Sequence, residues 1–375
     1  MTTREISELR RRMRPDRTNI TAVRGCYVSG SGEILSDFQR SVALMSEEDK
    51  EKYLSVFRKV LSGTQDKNLL DLPFTTAQVA DSEEHRLLMR LRSSALGDED
   101  AVQSFFRAVI QSFRTEDHYL ILLAHENYDV PARAKDGAAL DSSEVFSYIL
   151  CAVCPVRPGK EALRYVAEEK EFHNCSAGFT ADAPEVGFLF PSFDGRRANI
   201  YDCLYYTRSS RENHPELTQA LFKIEPPLPA DQQKQTFGGV LHDALEEECS
   251  LSVVQNLQQE LCERIEAHQE LKSDEPLVVS REDVRAVLES SGVSEEKLSR
   301  FCVDFEGSFG ADALLSPRNL TQPRSRLTTA DVVITVAPGK GELIQTRTLG
   351  GVKYILIRAD EGVELNGVDI EIAET

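Results

Sequence analysis

His125, Asn127 and Asp129 are spaced by two at the end of the apolar run Tyr119 to Ala124. In an extended chain residues two apart share a face, so an imidazole, an amide and a carboxylate line up. A histidine beside a carboxylate can serve as an oriented acid/base pair, and in open sheets with helical crossovers sites gather beyond the carboxyl ends of strands. The plainer reading is an exposed strand end, because Tyr128 to Pro131 looks like exit into a loop and no nucleophile motif matches the cluster.

Two groups of arginines are candidates for holding an anion. Arg10, Arg11, Arg12 and Arg14, with Arg17 close behind, could grip phosphates; without an interleaved aromatic side chain they equally suit the solvated face of a first helix. Arg196 and Arg197 follow an Asp194-Gly195 turn and could clamp a carboxylate or phosphate, although a solvated loop tip explains them as well.

Cys151-Ala-Val-Cys154 has the spacing of a metal or redox pair, and His173 with Cys175 would complete four ligands. Positions three apart in a strand point to opposite faces, so the sequence is read as holding buried structural thiols and no metal site. Ser290-Ser-Gly-Val-Ser294 sits between two helical stretches like the turn of a helix-turn-helix. The second stretch opens with Glu295 and Glu296, which phosphates would repel, and a plain αα-hairpin is favoured. No phosphate-binding loop, dinucleotide fingerprint, Gly-x-Ser-x-Gly or His-Glu-x-x-His occurs, which disfavours the enzyme classes those motifs mark.

The elements that must position these residues follow from periodicity. Ile6, Leu9 and Met13 recur at helical spacing, and a hairpin over Val23 to Val28 and Glu33 to Phe38 follows. Ser46 to Leu61 is a helix with Ser46 and Asp49 as a capping box. A helix capped by Asp81 carries Leu87, Leu88 and Leu91, and one from Asp98 carries Val102, Phe105, Phe106, Val109, Ile110 and Phe113. Both must cover something apolar, and the runs Tyr119 to Ala124 and Val145 to Val153 read as central strands buried on both faces. A helix near Glu161 to Glu169 and strands at Val186 to Phe190 and Ile200 to Thr207 complete this part.

Three prolines between Glu225 and Pro229 break regular structure. Helical periodicity then runs to about Phe309, including a helix with Val254, Leu257, Leu261 and Ile265 near coiled-coil spacing, and the last 45 residues return to strand patterning with Gly350-Gly351 and Asn366-Gly367 turns. The expected architecture is mixed α+β: a helix-covered sheet domain over residues 1–224, a helical module over 225–316 and a small all-β domain over 317–375.

The chain of 375 residues is 41% apolar and 28% charged, ordinary for a globular protein, with a formal charge of −19. That charge argues against a whole-surface nucleic-acid or membrane binder, because polyanions would be repelled over most of the surface. Residues 1–24 run the other way, with seven arginines against three acids. They lack the apolar core of a secretory signal, the longest apolar run, Tyr148 to Cys154, is seven residues against the roughly twenty of a membrane span, and eight dispersed cysteines suit a reducing compartment. A cytoplasmic location is expected.

The strings Arg24-Gly-Cys-Tyr-Val28, Leu44-Met-Ser-Glu-Glu48, Leu61-Ser-Gly-Thr64, Asp81-Ser-Glu-Glu-His85, Ser143 to Cys151 and Tyr354 to Val363 together resemble a bacterial family, chiefly of low-GC Gram-positive anaerobes, catalogued as a domain of unknown function. The resemblance spans nearly the whole chain and implies a bacterial cytosolic origin, without an activity, cofactor or site.

Three functions are expected in turn. The first is a non-enzymatic cytosolic binding or regulatory protein acting on a macromolecular partner, with no cofactor. The second is an enzyme on a phosphate-bearing or other anionic substrate, with His125 and Asp129 as acid/base and Arg196 or Arg197 as anchor. The third is RNA or ribosome association through the arginine-rich N-terminus.

Overall fold

A computed structural model describes residues 1–133, 139–159, 162–175, 178–271, 273, 276–322, 324–337, 339–360 and 362–372. Two compact units divide the chain, Met1–Ala230 and Asp231–Thr375. The helical segments after the prolines and the C-terminal hairpins fall in the same unit, where the sequence reading separates them at 316/317.

The first unit contains helices α1 (Thr3–Arg12), α2 (Glu47–Val60), α3 (Thr76–Asp81), α4 (Glu83–Ser93), α5 (Glu99–Ser112) and α6 (Pro215–Phe222). Its strands are β1 (Ala22–Val28), β2 (Ile34–Ser41), β3 (Leu69–Pro73), β4 (His118–Arg133), β5 (Ala139–Pro158), β6 (Ala162–Val166), β7 (Glu171–Cys175), β8 (Phe179–Ala181), β9 (Val186–Phe190), β10 (Ser192–Asp194), β11 (Arg197–Asn199) and β12 (Asp202–Thr207). The main sheet runs β2-β1-β4-β5-β9-β12-β3, with β8 added to β5, and its pairs are antiparallel.

Local chemistry sets the helix starts. Glu5 and Thr2 form a reciprocal capping box at α1, Ser46 accepts from the Asp49 N–H at α2, and Asp98 accepts from the Ala101 N–H at α5. Asp81 proves to be the last residue of the short helix α3, and Ser82 caps α4 by accepting from the His85 N–H at 3.0 Å.

The sheet is covered on both sides, as the continuous apolar runs require. Odd-numbered residues of β4 (Tyr119, Ile121, Leu123) pack with Leu88, Leu91, Phe105, Phe106 and Val109 of α4 and α5. Even-numbered residues (Leu122, Ala124, Tyr128, Val130) pack with Ile6 and Leu9 of α1 and Leu54, Phe57 and Val60 of α2. Each buried Leu, Ile, Val or Phe among them contributes about 1.5–3 kcal/mol, so alternation along two strands holds both layers. At Gly187 on β9 the sheet meets α2 too closely for a side chain: a Cβ there would lie 2.5 Å from the Cys151 carbonyl oxygen and 2.7 Å from Val60 Cγ2.

Three differences from the sequence reading bear on the site. The runs Tyr119 to Ala124 and Val145 to Val153 are parts of one long hairpin, so β4 continues through Tyr128 to Arg133 and does not exit into a loop. The two strands pair antiparallel out to Arg133 and Ala139, unlike the parallel strands of a sheet built with helical crossovers. The expected helix over 161–169 is the hairpin β6–β7, with the turn at residues 167–170; Glu161 itself lies outside the described residues. Leu163 and Tyr165 stand two apart on β6 and Tyr165 faces Phe172 across the hairpin, whereas Glu168, Glu169 and Glu171, in and just after the turn, give the sequence its helix-like acidic content.

The second unit has α7 (Ala230–Leu245), α8 (Leu251–Leu271), α9 (Arg281–Ser290), α10 (Glu295–Phe309) and α11 (Pro317–Leu320) around Phe237, Leu241, Leu257, Leu261, Leu288, Phe301 and Phe305. The turn between α9 and α10 is an αα-hairpin: Glu248 accepts from both the Ser294 N–H and hydroxyl at 2.8 Å, and Glu295 pairs with Arg285 at 2.7 Å. Strands β13 (Ser325–Thr328), β14 (Val333–Val336), β15 (Ile344–Leu349), β16 (Val352–Ile357), β17 (Val363–Leu365) and β18 (Val368–Ile370) form three separate two-stranded hairpins. They do not merge into one sheet, and Leu349, Val352, Ile357, Leu365 and Val368 stay more than half exposed.

Candidate functional site

The long hairpin β4–β5 carries polar groups on both of its faces, and they are held very differently. On the even face Glu126 is 1% exposed within an apolar layer. An ionised carboxylate survives there only with compensation. Arg12 supplies it from the end of α1, donating from Nε at 3.1 Å and Nη2 at 2.7 Å to Glu126 Oε1, which also accepts from the Asn19 N–H at 2.7 Å. The Tyr148 hydroxyl donates to Glu126 Oε2.

Arg12 also lies over the Tyr128 ring, 4.1 Å from its centroid. Tyr128 donates to Glu8 at 2.6 Å, and Glu8 pairs with Arg196 at 2.7 Å. Burial opposes charge on Arg12, but the hydrogen bond and charge of Glu126 more than restore it, so its pKa rises. Burial first, then the Glu126 carboxylate, pushes the Tyr148 phenol well above its ordinary value.

On the odd face His125, Asn127 and Asp129 share one side of β4, as alternation requires, in mid-strand and opposite Ile149, Ser147 and Val145 of β5. His125 Nε2 lies 2.8 Å from Ser147 Oγ. Arg92, in the last turn of α4, donates from Nε to the Ser147 carbonyl at 2.7 Å. His125, Ser147 and Arg92 are half-buried, whereas Asn127 and Asp129 are exposed. Among the described residues no carboxylate pairs with Arg92, and burial lowers its pKa. Burial, then the charge of Arg92, also lowers the pKa of His125.

This arrangement has two chemical capacities. The uncompensated guanidinium beside a hydroxyl and an imidazole can receive an anionic oxygen. A neutral imidazole with the proton on Nδ1 accepts the Ser147 hydroxyl on Nε2, which is how a base activates a serine.

The remaining sequence candidates fall elsewhere. Arg196 binds Glu8 and the Pro131 carbonyl, and Arg197 pairs with Glu144 at 3.0 Å. Glu144 and the α1 side chains belong to the even side of the hairpin, so Arg196 and Arg197 cannot anchor a substrate held by His125 and Asp129 across the sheet. Arg12 is engaged by Glu126. Arg10, Arg11 and Arg14 are exposed at the end of α1; Arg11 turns back to the Ser7 carbonyl, and Arg10 and Arg14 have no side-chain partner among the described residues. Arg11, Arg12 and Arg17 line a cleft of about 330 Å³ with Glu8 and Tyr128.

Cys151 packs in the odd-face core and Cys154 in the even-face core, and burial raises both thiol pKa values. They cannot meet at one ion. His173 pairs with Glu169 at 2.8 Å, and the Cys175 side chain lies outside the described residues. No group of three or more metal-ligating side chains is assembled among the described residues.

Glu126, Arg92 and Ser147 are absent from the sequence candidates. Glu126 was detectable: it shares parity with Leu122, Ala124, Tyr128 and Val130, so an acid there had to be buried and paired. Ser147 and Arg92 become visible only once β4, β5 and α4 are placed side by side.

Family comparison matches residues 1–368 to the family described as "Domain of unknown function (DUF4317)". No curated protein matches the chain, and no solved structure does.

Proposed function

The chain belongs to the DUF4317 family, and from that premise we propose that it is a binding protein whose first unit recognises a small molecule carrying a phosphate or carboxylate, at Arg92, Ser147 and His125. The observation that carries this reading is the Arg92 guanidinium, held by one carbonyl and unpaired with any carboxylate among the described residues. A half-buried cation left without a counter-charge is costly, and an anionic ligand would repay that cost. The reading requires neither cofactor nor metal.

We place the protein in a reducing cytosol, on the strength of its dispersed free cysteines, of which Cys26, Cys151, Cys154 and Cys203 are buried. No helix of the described residues is long and apolar enough to cross a membrane.

The test is purification of the native protein from its own cytosol, followed by mass spectrometry of released small molecules, beside the Arg92→Gln variant. An anionic molecule present with the wild type and missing from a folded Arg92→Gln protein supports the reading. Identical small-molecule content in both would overturn it.

A second reading, an enzyme acting on the same anionic ligand, is favoured by the 2.8 Å His125–Ser147 contact. In that case Ser147→Ala abolishes turnover and leaves ligand binding within a few fold. Equal turnover by wild type and Ser147→Ala would exclude it.

A further inference from the structure

The second unit holds a separate groove of about 770 Å³, lined by α8 on one side and by Arg318, Thr321, Gln322, Ser325, Gly339, Gly341 and Glu342 on the other. That volume falls in the range of small-molecule sites. Three properties of its lining define a ligand.

Arg318 is the first. Its Nε is buried with no hydrogen-bond partner, and no ion pair to its guanidinium exists among the described residues. The second is a row of carboxamides, with Gln255, Gln258, Gln259 and Gln269 facing the groove from α8. Each presents a donor and an acceptor, the same pair a peptide bond offers. Three use one half of the amide within the chain, Gln255 donating to the Gly341 carbonyl at 3.0 Å, Gln259 donating to Glu263 at 2.7 Å and Gln258 accepting from the Ser325 hydroxyl at 3.2 Å, which leaves the other half of each for a ligand. The third is acid: Glu263, Glu266 and Glu342 also line the groove.

A polyanion satisfies Arg318 but is repelled by three carboxylates. A neutral sugar satisfies the amides and leaves the guanidinium unpaired. A zwitterion with amide bonds between its charged ends meets all three conditions. We propose that this groove binds a short peptide, with its terminal carboxylate on Arg318, its backbone amides on the glutamines and its ammonium end among the glutamates.

The experiment is isothermal titration of the full chain with Ala-Xaa-Ala tripeptides covering every side-chain class. The best binder is then repeated as its C-terminal amide and its N-acetyl form. Saturable binding is expected for at least one tripeptide. It should weaken at least tenfold on amidation, weaken on acetylation, and be lost in Arg318→Gln.

Circular dichroism and the melting temperature show whether Arg318→Gln is folded. If it is not, Gln259→Ala, on the exposed side of α8, is expected to weaken binding instead. Arg92→Gln is expected to leave tripeptide binding unchanged, which separates this proposal from the site in the first unit. An absence of saturable binding across the panel, or an affinity indifferent to amidation and to Arg318→Gln, would overturn it.

Discussion

The two faces of the β4–β5 hairpin differ by one residue in register and by a whole class of behaviour. On the even face Glu126 meets Arg12, Tyr148 and the Asn19 N–H, and nothing is left over for a ligand. On the odd face, one position away, His125 and Ser147 meet an arginine with no counter-ion among the described residues. A polar cluster whose charges all balance internally ties α1 to the sheet. One with an unbalanced charge is where a molecule from outside has something to gain. Burial alone misleads here, since the more buried cluster is the one with nothing to offer.

The largest effect should come from breaking the closed cluster. Arg12→Ala leaves Glu126 buried without its cation, a loss of about 3–5 kcal/mol, read as a lower urea midpoint with unchanged slope. Replacing the set together, with Arg12→Met, Glu126→Leu and Tyr148→Phe, should recover much of that loss, because no buried charge remains. If Arg12→Ala is nearly neutral, the even face is not the structural tie described.

Next in size is the open cluster. Arg92 gives the fold one hydrogen bond to a carbonyl, so Arg92→Gln should cost about 1 kcal/mol or less, while affinity for an anionic ligand falls at least tenfold. Stability and binding thus respond oppositely on the two faces. An Arg92 variant that unfolds like Arg12→Ala would erase the distinction.

A carboxylate outside both clusters calibrates them. Asp202 on β12 is pushed up to about 7, by burial first and then by the neighbouring charge of Asp71. Its folded pKa is raised, so between the unfolded value of 3.8 and about 7 the folded state binds more protons, and stability falls as pH rises through that window. Asp202→Asn keeps the acceptor for the Cys203 N–H and should raise stability at pH 8 by on the order of 1 kcal/mol. The gain should vanish below about pH 4. A variant less stable than wild type at pH 8 would show that Asp202 is compensated after all.

Sequence and structure agree where one dominant period governs. Helices α1, α2, α5, α9 and α10, and both central strands, are legible because apolar spacing and caps point the same way. The α+β class follows from them. The hairpin β6–β7 is not legible, since its apolar alternation covers only Leu163 and Tyr165 before the acids at Glu168, Glu169 and Glu171 give the segment a helix-like composition. The site is half legible: the shared face of His125, Asn127 and Asp129 follows from alternation. Its working partners come from β5 and α4, at separations of 22 and 33 residues, and antiparallel register is information that one strand does not contain. Arg196 and Arg197 show the same limit, because composition cannot tell which side of a sheet a turn will reach.

The smallest effect is also the most specific to the odd face. Burial, and then Arg92, hold the His125 pKa below its ordinary 6.5. The folded value is depressed, so the unfolded state binds more protons just below pH 6.5, and the stability contribution present above that pH is lost as pH falls through the folded value. Arg92→Gln removes one of the two causes and should move the His125 titration upward, seen as a shift in its imidazole NMR signals. A bound anion should act in the same direction, since its negative charge favours the imidazolium. Saturating ligand and Arg92→Gln should therefore each raise the His125 pKa, while Arg12→Met, acting on the opposite face, should leave it where it is. A His125 titration that follows Arg12 and ignores Arg92 would mean that the two faces are electrostatically one site.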